Sequence, residues 1–251
     1  MEALVAGGTG TVGRTVVAEL VRRGHQVRVL SRRGEPAGCR APWVTGGTSS
    51  PARAWRRRWR APRWWWIAPA GGLGRRTAER LFLDGTRRLL EAETAAGVGH
   101  HVLLSIVGVE TALWNPYYHA KLQQEQLVLD GPVPGTVQRA TQFHELVGLL
   151  ALMARVGPVV VVPRVLLQPV AAAEVGVVLA DAAERPPAGR APDLGGPAPQ
   201  QLVEVARRQL RLRGQRVFLV PLRVPGAAGR RLREGALLPA GGLRGRQSFD
   251  E

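Results

Sequence analysis

The chain has 251 residues, 45% of them hydrophobic, and a formal net charge of +16, which suits one large α/β domain or a domain with a small appendage. No apolar run reaches the ~18 residues that span a bilayer, and a single cysteine, Cys39, excludes an intrachain disulfide. The N-terminus has no basic leader and enters a strand pattern at once, so no signal peptide is expected; the lone cysteine suits a cytoplasmic location, and with no spanning run no membrane partner is expected.

Residues 3–6 (Ala-Leu-Val-Ala) predict a short buried strand. Gly7-Gly8-Thr9-Gly10-Thr11-Val12-Gly13 follows, then a helix pattern from Arg14 to Arg23 with Val16, Val17, Leu20 and Val21 as its apolar stripe. Gly24 closes that helix and Gln26 to Leu30 predict a second strand. Glycines at 7, 10 and 13 between a strand and a helix make a pocket for a pyrophosphate. They let the backbone approach closely, and the helix start presents free N–H groups. Gly7, Thr9, Gly10, Thr11, Val12 and Gly13 are therefore candidate dinucleotide-binding residues. An NAD site would place Asp or Glu at the end of the second strand, to hold the ribose 2′-hydroxyl. Here Ser31-Arg32-Arg33 stand instead. A hydroxyl and two guanidiniums suit a 2′-phosphate, so NADP(H) is favoured over NAD(H).

Further along, His101 to Ser105 predict a strand. Then comes Tyr117-Tyr118-His119-Ala120-Lys121, which holds the only lysine in a chain with 34 arginines. Residues i and i+4 share a helix face, so an ammonium can stand beside the Tyr117 phenol. A Tyr working near neutral pH needs its pKa lowered by about 3 units, or roughly 4 kcal/mol. Pro134 to Gln138 predict a sixth strand and 142–156 a helix with Phe143, Leu146, Leu149, Leu150 and Met153 inward. Val159 to Val162 and Arg216 to Val220 read as strands, Ala171 to Ala183 and Gln200 to Leu212 as amphipathic helices, and 239–251 as a loose tail. The five histidines lack metal spacing and read as surface or capping residues. The fold class expected is a Rossmann-type doubly wound parallel sheet over 1–147, with a small C-terminal substrate-covering region over 148–238.

These features resemble the short-chain dehydrogenase/reductase superfamily, and within it the atypical, NmrA-like NAD(P)H-binding branch. The resemblance is carried by Gly7 to Gly13, by Leu83-Asp84-Gly85-Thr86-Arg87-Arg88-Leu89-Leu90-Glu91-Ala92, and by His101 to Ser105. Tyr117 with Ala120-Lys121-Leu122, and Arg139-Ala140-Thr141-Gln142-Phe143-His144, complete it. It implies a catalytic group of Ser105, Tyr117 and Lys121. Tyr117 would exchange a proton with a substrate carbonyl or hydroxyl, and Ser105 would orient that oxygen. Lys121 would bind the nicotinamide ribose and lower the Tyr pKa. Gln142 and His144 would line the substrate pocket. The helix before the fifth strand lacks the superfamily's Asn, since Asn115 is the only one in the chain.

The resemblance also calls for a third strand, a helix and a Val-rich fourth strand over 38–78. The 43 residues between Glu35 and Glu79 instead carry no acid, nine arginines and six of the seven tryptophans. Interleaved Arg and Trp could bind nucleic acid by phosphate pairing and base stacking. The favoured alternative is a shifted reading frame or local divergence, the frame reading because GTG-GTG-GTG (Val-Val-Val) read one base later gives TGG-TGG-TGG, the Trp64-Trp65-Trp66 seen here. The function expected is NADP(H)-dependent oxidation or reduction of a small carbonyl, alcohol or quinone-like substrate. A non-catalytic NADP(H)-binding redox sensor is the first alternative and an Arg/Trp nucleic-acid binder the second. Resequencing the locus tests the frame reading, which predicts a one-base offset across codons 38–78; a verified continuous frame rules it out.

Overall fold

A computed structural model describes residues 1–31, 44–46, 64–67, 75–145, 155–156, 158–212, 214–215 and 217–248. Arg32 and Arg33, most of 38–78, residues 146–154 of the expected helix and the last three residues of the tail lie outside them. By its contacts the chain divides into two units that interleave in sequence, whereas the sequence pattern placed one boundary after 147. The first comprises Met1–Ser105, Trp114–Gln138 and Val175–Ala191. The second comprises Ile106–Leu113, Arg139–Glu174 and Pro192–Glu251.

The first unit begins with β1 (Glu2–Ala6), α1 (Thr11–Arg22) and β2 (Gln26–Ser31). Two short strands follow, β3 (Val44–Gly46) and β4 (Trp64–Ile67). These four strands form one sheet in the order β3-β2-β1-β4, and every pairing in it is parallel. β1 is central because its buried Ala3, Leu4, Val5 and Ala6 suit a strand covered on both faces. Its partners on the far side are the backbones of Trp64 to Ile67, in the register Ala3↔Trp64 to Ala6↔Ile67. The fourth-strand position is thus filled, by an aromatic segment where an aliphatic one was expected.

A helical turn (Arg75–Ala78) and a π-helical stretch (Glu79–Asp84) lead into α2 (Gly85–Ala96). Gly97, with φ +67°, ends α2 in the left-handed conformation that favours glycine. β5 (His101–Ile106), α3 (Pro116–Leu129) and β6 (Gly135–Ala140) follow. α4 (Ala172–Glu184) and β10 (Gly189–Arg190) return to this unit later in the chain. β5 pairs with β6, and β10 pairs parallel with β6 through Thr136 and Val137.

Alternation along the strands sorts the helices to opposite faces. Leu4 and Ala6 of β1 pack with Leu89 and Leu90 of α2, and Leu30 joins them. Val29 points the other way, where Gly8 and Val17 of α1 meet it. Leu103 and Val137 pack with Val128 of α3. Each fully buried side chain of this kind contributes about 1.5–3 kcal/mol. At the base of α1, Arg23 pairs with Asp181 and Glu184 of α4 at 2.7 Å each, and His25 Nε2 lies 2.7 Å from Glu184.

His100 and His101 are not surface residues. His101 Nδ1 lies 2.9 Å from Glu93 Oε1, with both side chains fully buried, and His100 Nε2 lies 2.7 Å from Thr136 Oγ1. Burial pushes His100 down to about 4, and the His101 charge adds to it. A strand residue and a helix residue each engage one nitrogen of these rings, which offsets part of the cost of burying them.

The second unit holds a three-stranded sheet. β7 (Arg155–Val156) runs antiparallel to β8 (Val159–Pro163), which runs parallel to β13 (Phe218–Leu222). β9 (Leu166–Leu167) pairs with β12 (Gln200–Gln201), and β11 (Leu194–Gly195) joins Ala140 to β14 (Leu243–Arg244). α5 (Leu202–Leu212) buries Leu202, Val203, Val205, Ala206 and Leu210, and α6 (Gly226–Arg233) follows β13.

Candidate cofactor and catalytic site

Close backbone packing builds the turn between β1 and α1. Gly7 takes φ +79°, a conformation that strains any residue with a side chain. Its N–H donates to Leu30 O at 2.9 Å, tying the turn to β2, and Gly10 N–H donates back to Gly7 O at 2.9 Å. A β-carbon at Gly13 would lie 2.1 Å from Gly7 O and 2.7 Å from Gly8 Cα. Only glycine lets the first turn of α1 sit directly on the turn before it. Gly10 caps α1 with no side-chain hydrogen bond. The N–H groups of Thr11, Val12 and Gly13 therefore have no acceptor inside the helix and face the helix start with its partial positive charge. Arg14 Nε donates to Thr9 O at 3.0 Å and stiffens the same turn. This cradle fits a pyrophosphate, and the residues are those the glycine spacing indicated. Ser31 ends β2, where a ribose-binding side chain is expected.

The second group of residues sits at the carboxyl end of β5 and along α3. Asn115 caps α3 by accepting from Tyr117 N–H at 2.9 Å, with Pro116 at the first helical position. Tyr117 and Lys121 stand one turn apart, as their spacing requires. Lys121 is 3% exposed, and its Nζ donates to Leu104 O and to Gln124 Oε1, both at 2.7 Å. Gln124 Nε2 in turn donates to Thr86 Oγ1 at 2.8 Å. The Phe82 ring, wholly buried, lies 5.3 Å from Lys121 Nζ and meets the Tyr117 ring edge-on at 5.4 Å. Beside Leu104, Ser105 Oγ is buried with no hydrogen-bond partner, an orphan donor of the kind a ligand oxygen would satisfy.

The electrostatics differ from expectation at one point. Lys121 was expected to stabilise a Tyr117 phenolate. Instead, burial pushes the Tyr117 phenol above its ordinary value, and Tyr118 adds to this. Desolvation disfavours a phenolate here more than the helix start and the amine favour it, and the amine points to Leu104 and Gln124. Burial also pushes Lys121 down to about 7, against the opposing charge of Glu125. Lys121, not Tyr117, is the group of this pair that titrates near neutral pH. Glu125 is itself fully buried and pairs with Arg190 at 2.8 Å.

The sequence pattern missed Gln124, Thr86 and Phe82. Gln124 is one turn beyond Lys121, and Thr86 stands in the segment where the superfamily's Asn was sought, so their positions were readable. Their hydrogen bond spans 38 residues and was not. Gln142 and His144 fall in the second unit. The Gln142 amide is buried without a partner, and His144 Nε2 lies 3.0 Å from Pro169 O.

Residues 7–133, just over half of the chain, match the family described as NAD(P)H-binding. The chain belongs to that family. It is also 30% identical over 155 residues to the photosystem II assembly factor Ycf39 of Trieres chinensis, a match covering 58% of this chain and 47% of that protein. The chain therefore spans about half the length of this curated relative. Among solved structures, an epimerase from Methanothermobacter thermautotrophicus superposes with a TM-score of 0.72 at 16% identity, over 95% of this chain and 87% of that one. A short-chain dehydrogenase/reductase superfamily protein from Agrobacterium tumefaciens, with NAD bound, gives 0.71 at 20% identity, over 100% and 94%. The Thermus thermophilus UDP-glucose 4-epimerase in complex with NAD gives 0.69 at 18%, over 97% and 95%. The fold is thus the α/β Rossmann-like fold of these dehydrogenases and epimerases.

Two outcomes follow. Gly13→Ala forces the α1 turn off Gly7 O, so NAD(P)H affinity falls at least about tenfold and stability falls by about 2–4 kcal/mol; a fluorescence titration and a urea melt check both, and unchanged affinity would remove the cradle. Lys121 has a folded pKa of about 7, below the ordinary 10.5. Between those values the unfolded chain holds a proton that the folded chain has released, so this group makes stability rise with pH across the window. Lys121→Met is expected to flatten that rise in urea midpoints measured between pH 7 and 10, below the range where Tyr117 titrates.

Proposed function

We propose that this chain is an NADP(H)-dependent oxidoreductase acting on a small carbonyl, alcohol or quinone-like substrate. The observation that carries the reading is Ser105 Oγ, buried without a partner on β5 next to Leu104, whose carbonyl accepts from the buried amine of Lys121, one helical turn from Tyr117. The NAD bound in two of the structural neighbours supports the choice of a nicotinamide dinucleotide. Ser31 with Arg32 and Arg33 at the end of β2, where an NAD site would place Asp or Glu, supports a 2′-phosphate. When bound, the reduced nicotinamide supplies a hydride.

The residues of the chain would do the rest. Ser105 Oγ would donate a hydrogen bond to the substrate oxygen. Tyr117, held protonated by its apolar surroundings, would deliver a proton to that oxygen as it gains charge. Lys121 would accept or release a proton in the neutral range, with Gln124 and Leu104 O fixing its position.

A non-catalytic NADP(H)-binding redox sensor is the second reading. The raised Tyr117 phenol favours it, because a phenol that resists ionisation is a poor base for oxidising an alcohol.

Titration of the purified chain with NADPH and NADH, followed by a panel of aldehydes, ketones and quinones, tests both readings. NADPH is expected to bind at least about tenfold tighter than NADH, and Arg32→Ala with Arg33→Ala should erase the difference. Tyr117→Phe should lower turnover about a hundredfold or more with NADPH affinity intact. Binding without turnover in the parent chain selects the sensor, and no NADPH binding at high micromolar concentration removes both readings.

A further inference from the structure

The segment before α2 is wound more widely than an α-helix. Glu79–Asp84 form a π-helical stretch between the turn Arg75–Ala78 and α2. Such stretches are rare and gather at functional sites. Here the winding has a visible result. Ala78, Phe82 and Thr86, four residues apart, are each 0% exposed, while Arg80 and Asp84 between them reach solvent. At 3.6 residues per turn, eight residues overrun two turns by about 80°. The wider π turn takes up much of that overrun and keeps the three side chains in one row.

The row meets a second row on α3. Tyr117, Ala120, Lys121 and Gln124 share one face of that helix, by their spacing of three and four. Ala78 and Phe82 pack with Ala120 and Tyr117. The Phe82 ring meets the Tyr117 ring edge-on at 5.4 Å and lies 5.3 Å from Lys121 Nζ. One turn on, Thr86 Oγ1 accepts from Gln124 Nε2, and Gln124 Oε1 accepts from Lys121 Nζ. The segment thus reaches the Tyr–Lys pair twice, directly through a ring and, just past the end of the stretch, through a hydrogen-bonded amide.

The remaining surroundings of the amine are of another kind. Leu104 O on β5 and Gln124 on α3 accept its hydrogen bonds. Tyr117 and Glu125 are the titratable groups beside it on its own helix, and the Glu125 carboxylate pairs with Arg190 of β10. The acids of the stretch, Glu79 and Asp84, pair with Arg75 and Arg87. Phe82 walls the amine with carbon and offers it no acceptor. A ring face also attracts a cation, but that is the weaker effect here, since burial holds the amine below its ordinary value.

We propose that the π-helical stretch is the positioning element of the Tyr117–Lys121 pair, with Phe82 as the residue that holds the phenol in place and keeps water from the amine. Phe82 acts through the pair and is a positioning residue. Its effect on turnover rests on the oxidoreductase reading; its effect on the amine does not.

Lys121 is the only lysine, so an isotopic label at the lysine ε-carbon gives the full chain one magnetic-resonance signal from this position. In the parent chain that signal should titrate at about 7 and show cross-peaks to the Phe82 ring. Phe82→Gln and Phe82→Ala both admit water to the amine, so each should raise the midpoint by at least about one pH unit. Val137→Ala opens a cavity against Val128, two turns further along α3, and should leave the midpoint in place. The pH profile of carbonyl reduction should move with the midpoint. A parent that titrates as expected without turning over removes the oxidoreductase reading and leaves this inference standing. Both parent measurements hold whether or not the Phe82 variants fold. Four results overturn the inference: no ring cross-peak in the parent, a parent midpoint near the ordinary 10.5, an unmoved midpoint in a folded Phe82 variant, or an equal move in Val137→Ala.

Discussion

The absent side chain of Gly13 sets the geometry of the nucleotide cradle. With no β-carbon there, the first turn of α1 rests on the carbonyl of Gly7 and the α-carbon of Gly8. That seat places the open end of α1 directly after β1. It also fixes the rotation of the helix, so that Val12, Val16, Val17 and Leu20 face inward. The same turn is tied to β2 through Gly7 N–H and Leu30 O. Helix placement, sheet contact and the row of free N–H groups therefore follow from one steric allowance. Thr11, Val12 and Gly13 can present their N–H groups to a pyrophosphate because nothing else in the turn competes for them.

Around Lys121, desolvation and attraction act in opposite directions, and desolvation wins for both partners. The Lys121 amine falls toward neutrality and the Tyr117 phenol rises away from it. Phe82 touches both, so one ring supplies apolar surroundings to the acid and to the amine. Their helix spacing brings the two residues to one face, as the sequence indicates. It does not decide which of them holds the proton, because that depends on Phe82, Leu104 and Gln124, which arrive from other segments. This is why the Tyr–Lys pair could be found from spacing while the direction of the Tyr117 shift could not.

The same division runs through the molecule. Gly7, Gly10 and Gly13 were legible because their role is local: a turn between a strand and a helix whose apolar periods are plain. Ser105, Tyr117 and Lys121 were legible through their family pattern. His100 and His101 were misread as surface residues, because the partners that engage one nitrogen of each, Thr136 and Glu93, lie on another strand and on a preceding helix. The fourth strand was legible at 64–66 through the family pattern alone, because Trp64, Trp65 and Trp66 show neither the Val-rich composition nor the alternation of a strand. Its register beside β1 bears that position out. The linear boundary after 147 missed the interleaving, in which residues 175–191 rejoin the first unit. That return rests on Arg23 and His25 meeting Asp181 and Glu184, which no period in the sequence marks.

The single lysine among 34 arginines then has a physical reason that does not depend on catalysis. An arginine stays charged in any protein interior, so it needs a carboxylate or water. Arg23 has three carboxylates within 2.7 Å, and Arg190 meets Glu125 while half of its side chain reaches solvent. Position 121 offers a backbone carbonyl and a side-chain amide, and almost no solvent. A guanidinium there would be a buried charge without a partner of its own, because Glu125 already answers to Arg190. An amine can release its proton and remain hydrogen-bonded as a neutral group. The site thus requires a cation that can become neutral, and that ability to titrate is also what a proton-transfer site near neutral pH requires.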